Sequence, residues 1–103
     1  MPAGTKIFQA GDVGEQMFAV LDGAVEIIIN GQVVETVEAA GVFGEMALIE
    51  DRPRAASAIV KADASIVSID RKRFMFLVQQ NPFFALQLMT VMAERLRRMD
   101  EKL

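Results

Sequence analysis

The sequence predicts a mainly β fold over residues 1–70, either a barrel or a sandwich, followed by C-terminal helices. Two observations predict this class. Glycines divide residues 1–70 into short β-rich runs, a pattern typical of strands joined by turns. After Asp70 the apolar residues recur about every 3.6 residues instead of every second residue, which indicates helices. The chain of 103 residues is long enough for a single domain, predicted over 1–103.

The strongest local signal in the β region is a hairpin centred on Asn30-Gly31. This dipeptide supplies the positive φ angles that a type I′ turn needs, and β-branched residues flank it on both sides. A turn at 62–64 is expected to separate the last two strands of the region. The candidate strands outside the hairpin are 6–8, 17–21, 56–61 and 65–70.

Two helices are predicted after the β region. Asp70 is in the position of an N-cap for a short helix over 71–80. Asn81 is expected to cap a long helix over 82–102, with Pro82 in its first turn, where a missing N–H has no consequence.

The composition excludes most catalytic chemistries. The chain contains no Cys, His, Trp or Tyr. Disulfides, thiolate and imidazole metal sites, cysteine nucleophiles and histidine-based triads are therefore excluded. We expect a binding module rather than an enzyme, with no metal site and no cofactor.

Charge and hydropathy indicate where the chain acts. The net charge of −3 argues against direct binding of nucleic acid, which requires a basic surface. The uncharged stretch 74–93 is as long as a membrane-spanning helix, but polar residues and Pro82 interrupt it. The N-terminus has neither the basic nor the apolar region of a signal peptide. We therefore expect a cytoplasmic protein with no membrane insertion.

The candidate site lies in the stretch 41–58. Gly44 opens the segment 45–49, which is short and apolar enough to form one helical turn whose first N–H groups can receive an anion. Arg54 follows a rigid proline just before a strand, so its five-donor fork would point back at this turn and suit a phosphate. Glu45 could accept hydrogen bonds from a sugar hydroxyl. The alternative is a surface ion pair between Arg54 and Glu45, with the glycines serving only as turn residues.

This stretch resembles the phosphate-binding cassette of cyclic-nucleotide-binding domains. That family includes catabolite-type bacterial regulators, protein kinase A regulatory subunits and cyclic-nucleotide-gated channels. The resemblance is carried by Phe43-Gly44-Glu45-Met46-Ala47-Leu48-Ile49 and Pro53-Arg54-Ala55-Ala56-Ser57. Residues 4–12 and 17–25 are similar to the glycine-punctuated β-roll of the family, and Asn81-Pro82 and 92–96 to the C-terminal helices of the bacterial regulators.

The resemblance implies an antiparallel β-roll, a double-stranded β-helix of jelly-roll type, with a short phosphate-binding helical turn and two C-terminal helices. It also implies a non-enzymatic sensor whose ligand is cAMP or cGMP, with a leaning to cAMP. Arg54 and the Ala55 amide would bind the cyclic phosphate, and Glu45 would accept the ribose 2′-hydroxyl. The full set of implied ligand-binding residues is Gly44, Glu45, Met46, Ala47, Arg54, Ala55 and Ala56. Possible contacts from the last helix are Arg95, Met99 and Asp100.

The sequence departs from the family pattern at both ends. The family normally has helices before the roll, and catabolite-type regulators carry a helix-turn-helix domain after the long helix. We therefore expect either a small stand-alone sensor or a piece of a larger regulator or channel. Met99-Asp100 stands where the catabolite-type helix carries a Thr-Ser pair for the adenine.

The last helix carries a narrow apolar seam that could pack on a second copy of the chain or on its own domain. The seam consists of Ala85, Met89, Met92, Leu96, Met99 and Leu103. In the sensor hypothesis, ligand binding shifts this helix, with Arg95 facing Glu45. The alternative is a dimerisation or scaffold module of the same fold that needs no ligand.

Overall fold

The computed structural model describes residues 1–50 and 52–101, with side chains described as far as Arg98. The chain forms two compact units, of which the first ends at Arg71 and the second begins at Lys72. The elements are β1 (Lys6–Phe8), β2 (Gln16–Ile29), β3 (Gln32–Glu38), β4 (Val42–Phe43), α1 (Met46–Ile49), β5 (Ser57–Asp70), α2 (Arg71–Gln80) and α3 (Pro82–Glu101). The single-domain organisation over 1–103 remains a prediction.

The strands form an antiparallel sheet in the order β1-β5-β2-β3, and β4 also pairs with β2. The two long strands, β2 and β5, pair from Gln16 opposite Asp70 to Ile28 opposite Ser57. Register shifts between Val20 and Val25 interrupt this pairing, and such irregularities bend a strand and increase its twist. The predicted class, an antiparallel β fold followed by helices, is confirmed.

The Asn30-Gly31 hairpin is confirmed. Both residues have positive φ, 52° at Asn30 and 77° at Gly31, as a type I′ turn requires. The strands resume immediately on either side, with Ile29 opposite Gln32.

The predicted turn at 62–64 is wrong, because β5 runs without a break from Ser57 to Asp70. Register shifts relative to β2 accommodate the irregularity that the sequence suggested there. Gly23 of β2 makes this possible, since a β-carbon there would fall 2.3 Å from the carbonyl oxygen of Asp63. The Asp22 carboxylate also accepts a hydrogen bond from the Ser65 amide at 3.1 Å.

The core of the first unit is a small cluster of buried apolar residues. Its buried residues are Val20, Val25, Val37, Phe43 and Ala58. Three phenylalanine rings pack together at one side of it, with Phe18 stacked on Phe43 at 5.3 Å between centroids and Phe8 within 6.0 Å of both. Two of these rings, Phe8 and Phe18, also lie against the guanidinium of Arg54.

The helices of the second unit follow the prediction closely. α2 has the predicted bounds, and the Asn81 side chain caps α3 by accepting the Phe83 amide at 3.1 Å. The predicted helix end at residue 102 lies outside the described residues, and the capping role of Asp70 remains a prediction. No helix in the described part of the chain is long and apolar enough to cross a membrane.

Candidate functional site

The site begins at the sharp turn between β4 and α1. Gly44 has a φ of +76°, in the left-handed region that favours glycine. A β-carbon on Gly44 would also come within 2.8 Å of Nη1 of Arg54 and 3.3 Å of the Phe18 ring. Glu45 then takes the N-cap position of α1, without a side-chain capping hydrogen bond. The helical turn therefore starts at Met46, one residue later than predicted.

The Arg54 guanidinium is held against the turn by backbone carbonyl oxygens. Nη1 donates to the Gly44 carbonyl at 2.8 Å, and Nη2 donates to the Gln16 carbonyl at 2.6 Å. The Arg54 backbone is tied to the β1–β2 loop, because its amide donates to the Asp12 carbonyl and its carbonyl accepts from the Gly11 amide. Both ends of this arginine are thus fixed, and its fork points at the Gly44 turn as predicted.

A phenylalanine ring and a glycine confine the same guanidinium. Its Cζ lies 4.1 Å from the centroid of the Phe8 ring and 5.8 Å from that of Phe18, distances at which a cation is attracted to an aromatic face. Gly14 approaches so closely that a β-carbon there would fall 2.2 Å from Nε. Nε is buried and has no hydrogen-bond partner among the described residues.

Two opposing effects act on the pKa of Arg54. Burial lowers the pKa of Arg54 below that of an exposed guanidinium, while the carboxylates of Asp12 and Glu45 act to raise it. An arginine side chain remains charged at neutral pH under such conditions. The result is a buried cation close to two carboxylates.

The interpretation of Arg54 and Glu45 as a surface pair is wrong. Glu45 is 4% exposed and Arg54 9% exposed. A pair of the surface kind does exist nearby, between Arg52 and Glu50 at 3.9 Å, with the Arg52 side chain 81% exposed.

A pocket of about 380 Å³ opens over Arg54. Its lining residues come from β1, from the loop 12–15 and from the first residues of β2, and they include Phe8 and Asp12. This volume falls in the range of small-molecule sites. Within residues 1–50 and 52–101, no group of three acidic side chains is arranged to hold a metal ion.

The other predicted site residues differ in their surroundings. Ala47 is buried in the turn, and its amide makes only a long contact of 3.4 Å to the Gly44 carbonyl. Met46 and Ala55 are exposed, and Ala56 is half-buried. Arg95 is half-buried on α3. The side chains of Met99 and Asp100 lie outside the described residues.

Several residues that build the site were not singled out from the sequence. Gly14 had the signature of an ordinary turn glycine, and Phe8 and Asp12 only that of a strand and its following loop. Gln16 contributes through its backbone carbonyl, for which side-chain patterns give no signal. Arg71, which donates to the Leu48 carbonyl at 3.0 Å, carries no local sequence signal that distinguishes it from its basic neighbours.

Comparison with known proteins places this geometry in a family. A family model for the cyclic nucleotide-binding domain matches residues 1–81. The cyclic AMP receptor protein of Thermus thermophilus is 32% identical over 108 residues, which cover 99% of this chain and 50% of that protein. A cyclic nucleotide-gated potassium channel of Rhizobium etli is 35% identical over 95 residues, covering 92% of this chain and 26% of the channel.

Solved structures agree with the sequence matches. The crystal structure of the catabolite activator protein of Thermus thermophilus superposes with a TM-score of 0.86 at 30% identity, over 99% of this chain and 50% of that one. A structure of cAMP-bound PfPKA-R gives a TM-score of 0.82 at 27% identity, over 98% of this chain and 35% of that one. The chain thus spans half the length of its Thermus relatives. By the match over residues 1–81, it belongs to the cyclic nucleotide-binding domain family, a family of ligand-binding regulatory domains.

Proposed function

We propose that this chain is a cyclic-nucleotide sensor in which Arg54 binds the cyclic phosphate and Glu45 accepts the ribose 2′-hydroxyl. The observation that carries the proposal is the buried guanidinium of Arg54, with its unpartnered Nε, beside the Gly44–Glu45 turn. Burying a cation is unfavourable unless charge and hydrogen bonds compensate for the lost water. The Gly44 and Gln16 carbonyls and the nearby carboxylates provide part of this compensation. A bound anion would add further opposite charge and further acceptors for the guanidinium.

The remaining donors of the fork suit a phosphate. Nη1 and Nη2 each use one hydrogen on a backbone carbonyl, and each nitrogen carries a second hydrogen. Two backbone amides are proposed as further phosphate donors. Ala55 directly follows Arg54 in the chain, and the Ala47 amide lies in the turn whose Gly44 carbonyl accepts from Nη1. A single arginine at a tight turn favours a compact monoanion, so a cyclic phosphate should bind better than the dianion of a linear nucleotide.

The ligand is proposed to be cAMP in preference to cGMP. In the family, a Thr or Ser directly after the phosphate arginine often favours cGMP by bonding the guanine amino group. This chain has Ala55 at that position, which offers no hydroxyl. Met46 and Ala56 would contribute backbone and packing contacts around the same turn.

The proposed output is a change in the packing of the residues from Pro82 onwards. Their seam includes Met89 and Leu96, which are 61% and 64% exposed, and large apolar side chains at that exposure suit a partner surface that forms and dissociates. A homodimer through this helix is part of the proposal. The alternative function, a scaffold that dimerises without ligand, would use the same seam.

Titration calorimetry with cAMP, cGMP and AMP tests the proposal. We expect saturable binding of both cyclic nucleotides, tighter for cAMP, and much weaker binding of AMP. AMP binding as tight as cAMP binding would contradict the assignment of the turn to a cyclic phosphate. A chain that binds none of the three yet sediments as a dimer would support the scaffold alternative.

A further inference from the structure

The C-terminal end of α1 is held by an arginine from outside the cassette. Nη1 of Arg71 donates to the Leu48 carbonyl at 3.0 Å, and Nη2 makes a longer contact of 3.4 Å to the Ala47 carbonyl. The last carbonyls of any helix have no partner inside it. In a helix as short as Met46–Ile49 that applies to nearly every carbonyl, so these contacts matter more than they would on a long helix.

Two arginines therefore hold the cassette turn, one at each end. Arg54 binds the Gly44 carbonyl at the start of the turn, and Arg71 binds the Leu48 carbonyl at its end. The two arginines are linked through the sheet, because the Gln16 carbonyl accepts from Arg54 and Gln16 pairs with Asp70, the neighbour of Arg71. These contacts therefore connect the two ends of the turn to each other through the two arginines and the sheet.

The stability of α2 does not explain a basic residue at position 71. Arg71, Lys72 and Arg73 open α2, and its first turn contains no acidic residue. Positive charge in the first turn of a helix is unfavourable, because the dipole already places positive charge there. At the C-terminal carbonyls of α1 the same charge is favourable, since cations stabilise that end of a helix.

We propose that Arg71 is a positioning residue of the nucleotide site. It fixes the end of the α1 turn, so that Gly44 and Glu45 stay in register with Arg54. The inference rests on the proposed function for its effect on affinity, whereas the clamp on α1 can be tested without any nucleotide. Arg71 donates to the Leu48 and Ala47 carbonyls, whereas the phosphate is expected at the Ala47 amide, so the influence of Arg71 passes through the backbone of the turn.

Hydrogen exchange on the unliganded chain tests the clamp. The variants are Arg71→Met, which keeps the length of the side chain and removes its donors, and Lys72→Met as the matched control at an exposed neighbouring position. In Arg71→Met the Leu48 and Glu50 amides, which close the α1 turn, should exchange about fivefold faster. Lys72→Met should leave them unchanged. In both variants the amides of the buried core residues Val25 and Val60 should keep their protection, which shows that the fold is intact.

Affinity and rescue test the positioning role. Arg71→Met should weaken cAMP binding by about tenfold, and Lys72→Met should stay within about twofold of the original chain. Arg71→Lys should recover part of the loss in both measurements, because an ammonium keeps the charge and one donor for the Leu48 carbonyl.

The outcomes separate the two proposals. Unchanged exchange at α1 in Arg71→Met would overturn the clamp, whatever the chain binds. Faster exchange at α1 with undiminished cAMP affinity would overturn the positioning role, as would a lysine variant no better than the methionine variant. If the original chain binds no cyclic nucleotide, the proposed function fails, while the exchange measurements still decide whether Arg71 holds α1.

Discussion

Gly14 lies directly against the guanidinium of Arg54: a β-carbon built on Gly14 would fall 2.2 Å from Nε and 2.5 Å from Cζ. Real β-carbons essentially never come so close to another atom, so a side chain at position 14 would force the Arg54 side chain to move. The Phe8 ring contacts the same guanidinium, with 4.1 Å between its centroid and Cζ. Since Gly14 does not have a positive φ, its backbone would accept another residue. The constraint on position 14 therefore comes from the arginine beside it.

Gly14→Ala should therefore displace the Arg54 side chain and weaken cAMP binding by at least about tenfold. Inserting a methyl group into a packed site typically costs about 1–3 kcal/mol, and here the group that must move is the proposed phosphate ligand. Calorimetry on Gly14→Ala and on Val13→Ala, a neighbour that is 85% exposed, provides the comparison. Equal affinities in the two variants would show that Arg54 can bind phosphate from another position.

Arg54→Ala should abolish most of the affinity, whereas Arg52→Ala should have little effect. A hydrogen bond to a charged group contributes about 1.5–3 kcal/mol, so losing several of them corresponds to more than about tenfold in Kd. Arg52 carries the same charge two residues away, but its side chain is 81% exposed, and its Nε lies 3.9 Å from the Glu50 carboxylate. Equal losses in the two variants would mean that the wrong arginine has been assigned.

Particular residues show how far the sequence could predict this site. Gly44, Glu45 and Arg54 can be identified because the whole stretch 41–58 forms a local pattern that resembles the phosphate-binding cassette of the family. Gly14 and Phe8 cannot, because their roles depend on the fold bringing the β1–β2 loop and β1 to an arginine some forty residues away in the chain. Local spacing carries no information about such contacts.

The strands show the same limit. The Asn30-Gly31 hairpin was predicted because the turn and its pairing are local. The continuity of β5 through Asp63 was not, because it depends on Gly23 of the partner strand, which leaves room for the Asp63 carbonyl. A segment whose sequence predicts two strands and a turn can therefore form one bent strand, when the register of the partner strand shifts and a glycine leaves room for it.

Ala55→Thr should raise the affinity for cGMP relative to cAMP. The hydroxyl would supply the guanine contact that this chain lacks, and Ala55 is exposed, so the larger side chain can be accommodated. Ala55→Val is the matched control, because valine has nearly the shape of threonine without the hydroxyl. The ratio of the two dissociation constants, measured for all three chains, decides the matter. A ratio that shifts equally in both variants would reflect shape alone and place base selection elsewhere.

Binding should be insensitive to pH over roughly pH 6 to pH 8 and should weaken in strongly alkaline solution. The chain has no histidine or cysteine to titrate in that interval. Burial lowers the pKa of Arg54, so the guanidinium loses its charge, and the site its anion affinity, at a lower pH than an exposed arginine would. The same lowered pKa reduces the free energy of unfolding at neutral pH, where the guanidinium is charged in both states. This loss of stability decreases as the pH rises from the lowered pKa of the folded chain to the higher pKa of the unfolded chain. A titration of Kd against pH that changes markedly near neutrality would contradict this assignment.

Cyclic nucleotide should change the packing of the residues from 82 to 102. A ligand shifts an equilibrium between two packings only if it binds one of them better. In the proposal, Glu45 accepts the ribose hydroxyl of the ligand. The family resemblance implies that Arg95 corresponds to an arginine of the catabolite-type helix that faces the site. If the ligand and Arg95 both engage Glu45, the ligand can favour one packing of the helix over the other. We expect cAMP to alter hydrogen exchange across residues 82–101 and to change the sedimentation coefficient if the seam of Met89 and Leu96 associates. Arg95→Ala should keep most of the cAMP affinity but lose the ligand-dependent change in exchange, whereas Arg97→Ala, an exposed neighbour on the same helix, should retain both. Identical exchange and identical mass with and without cAMP, in a chain that binds it, would show that binding occurs without any change in the helix.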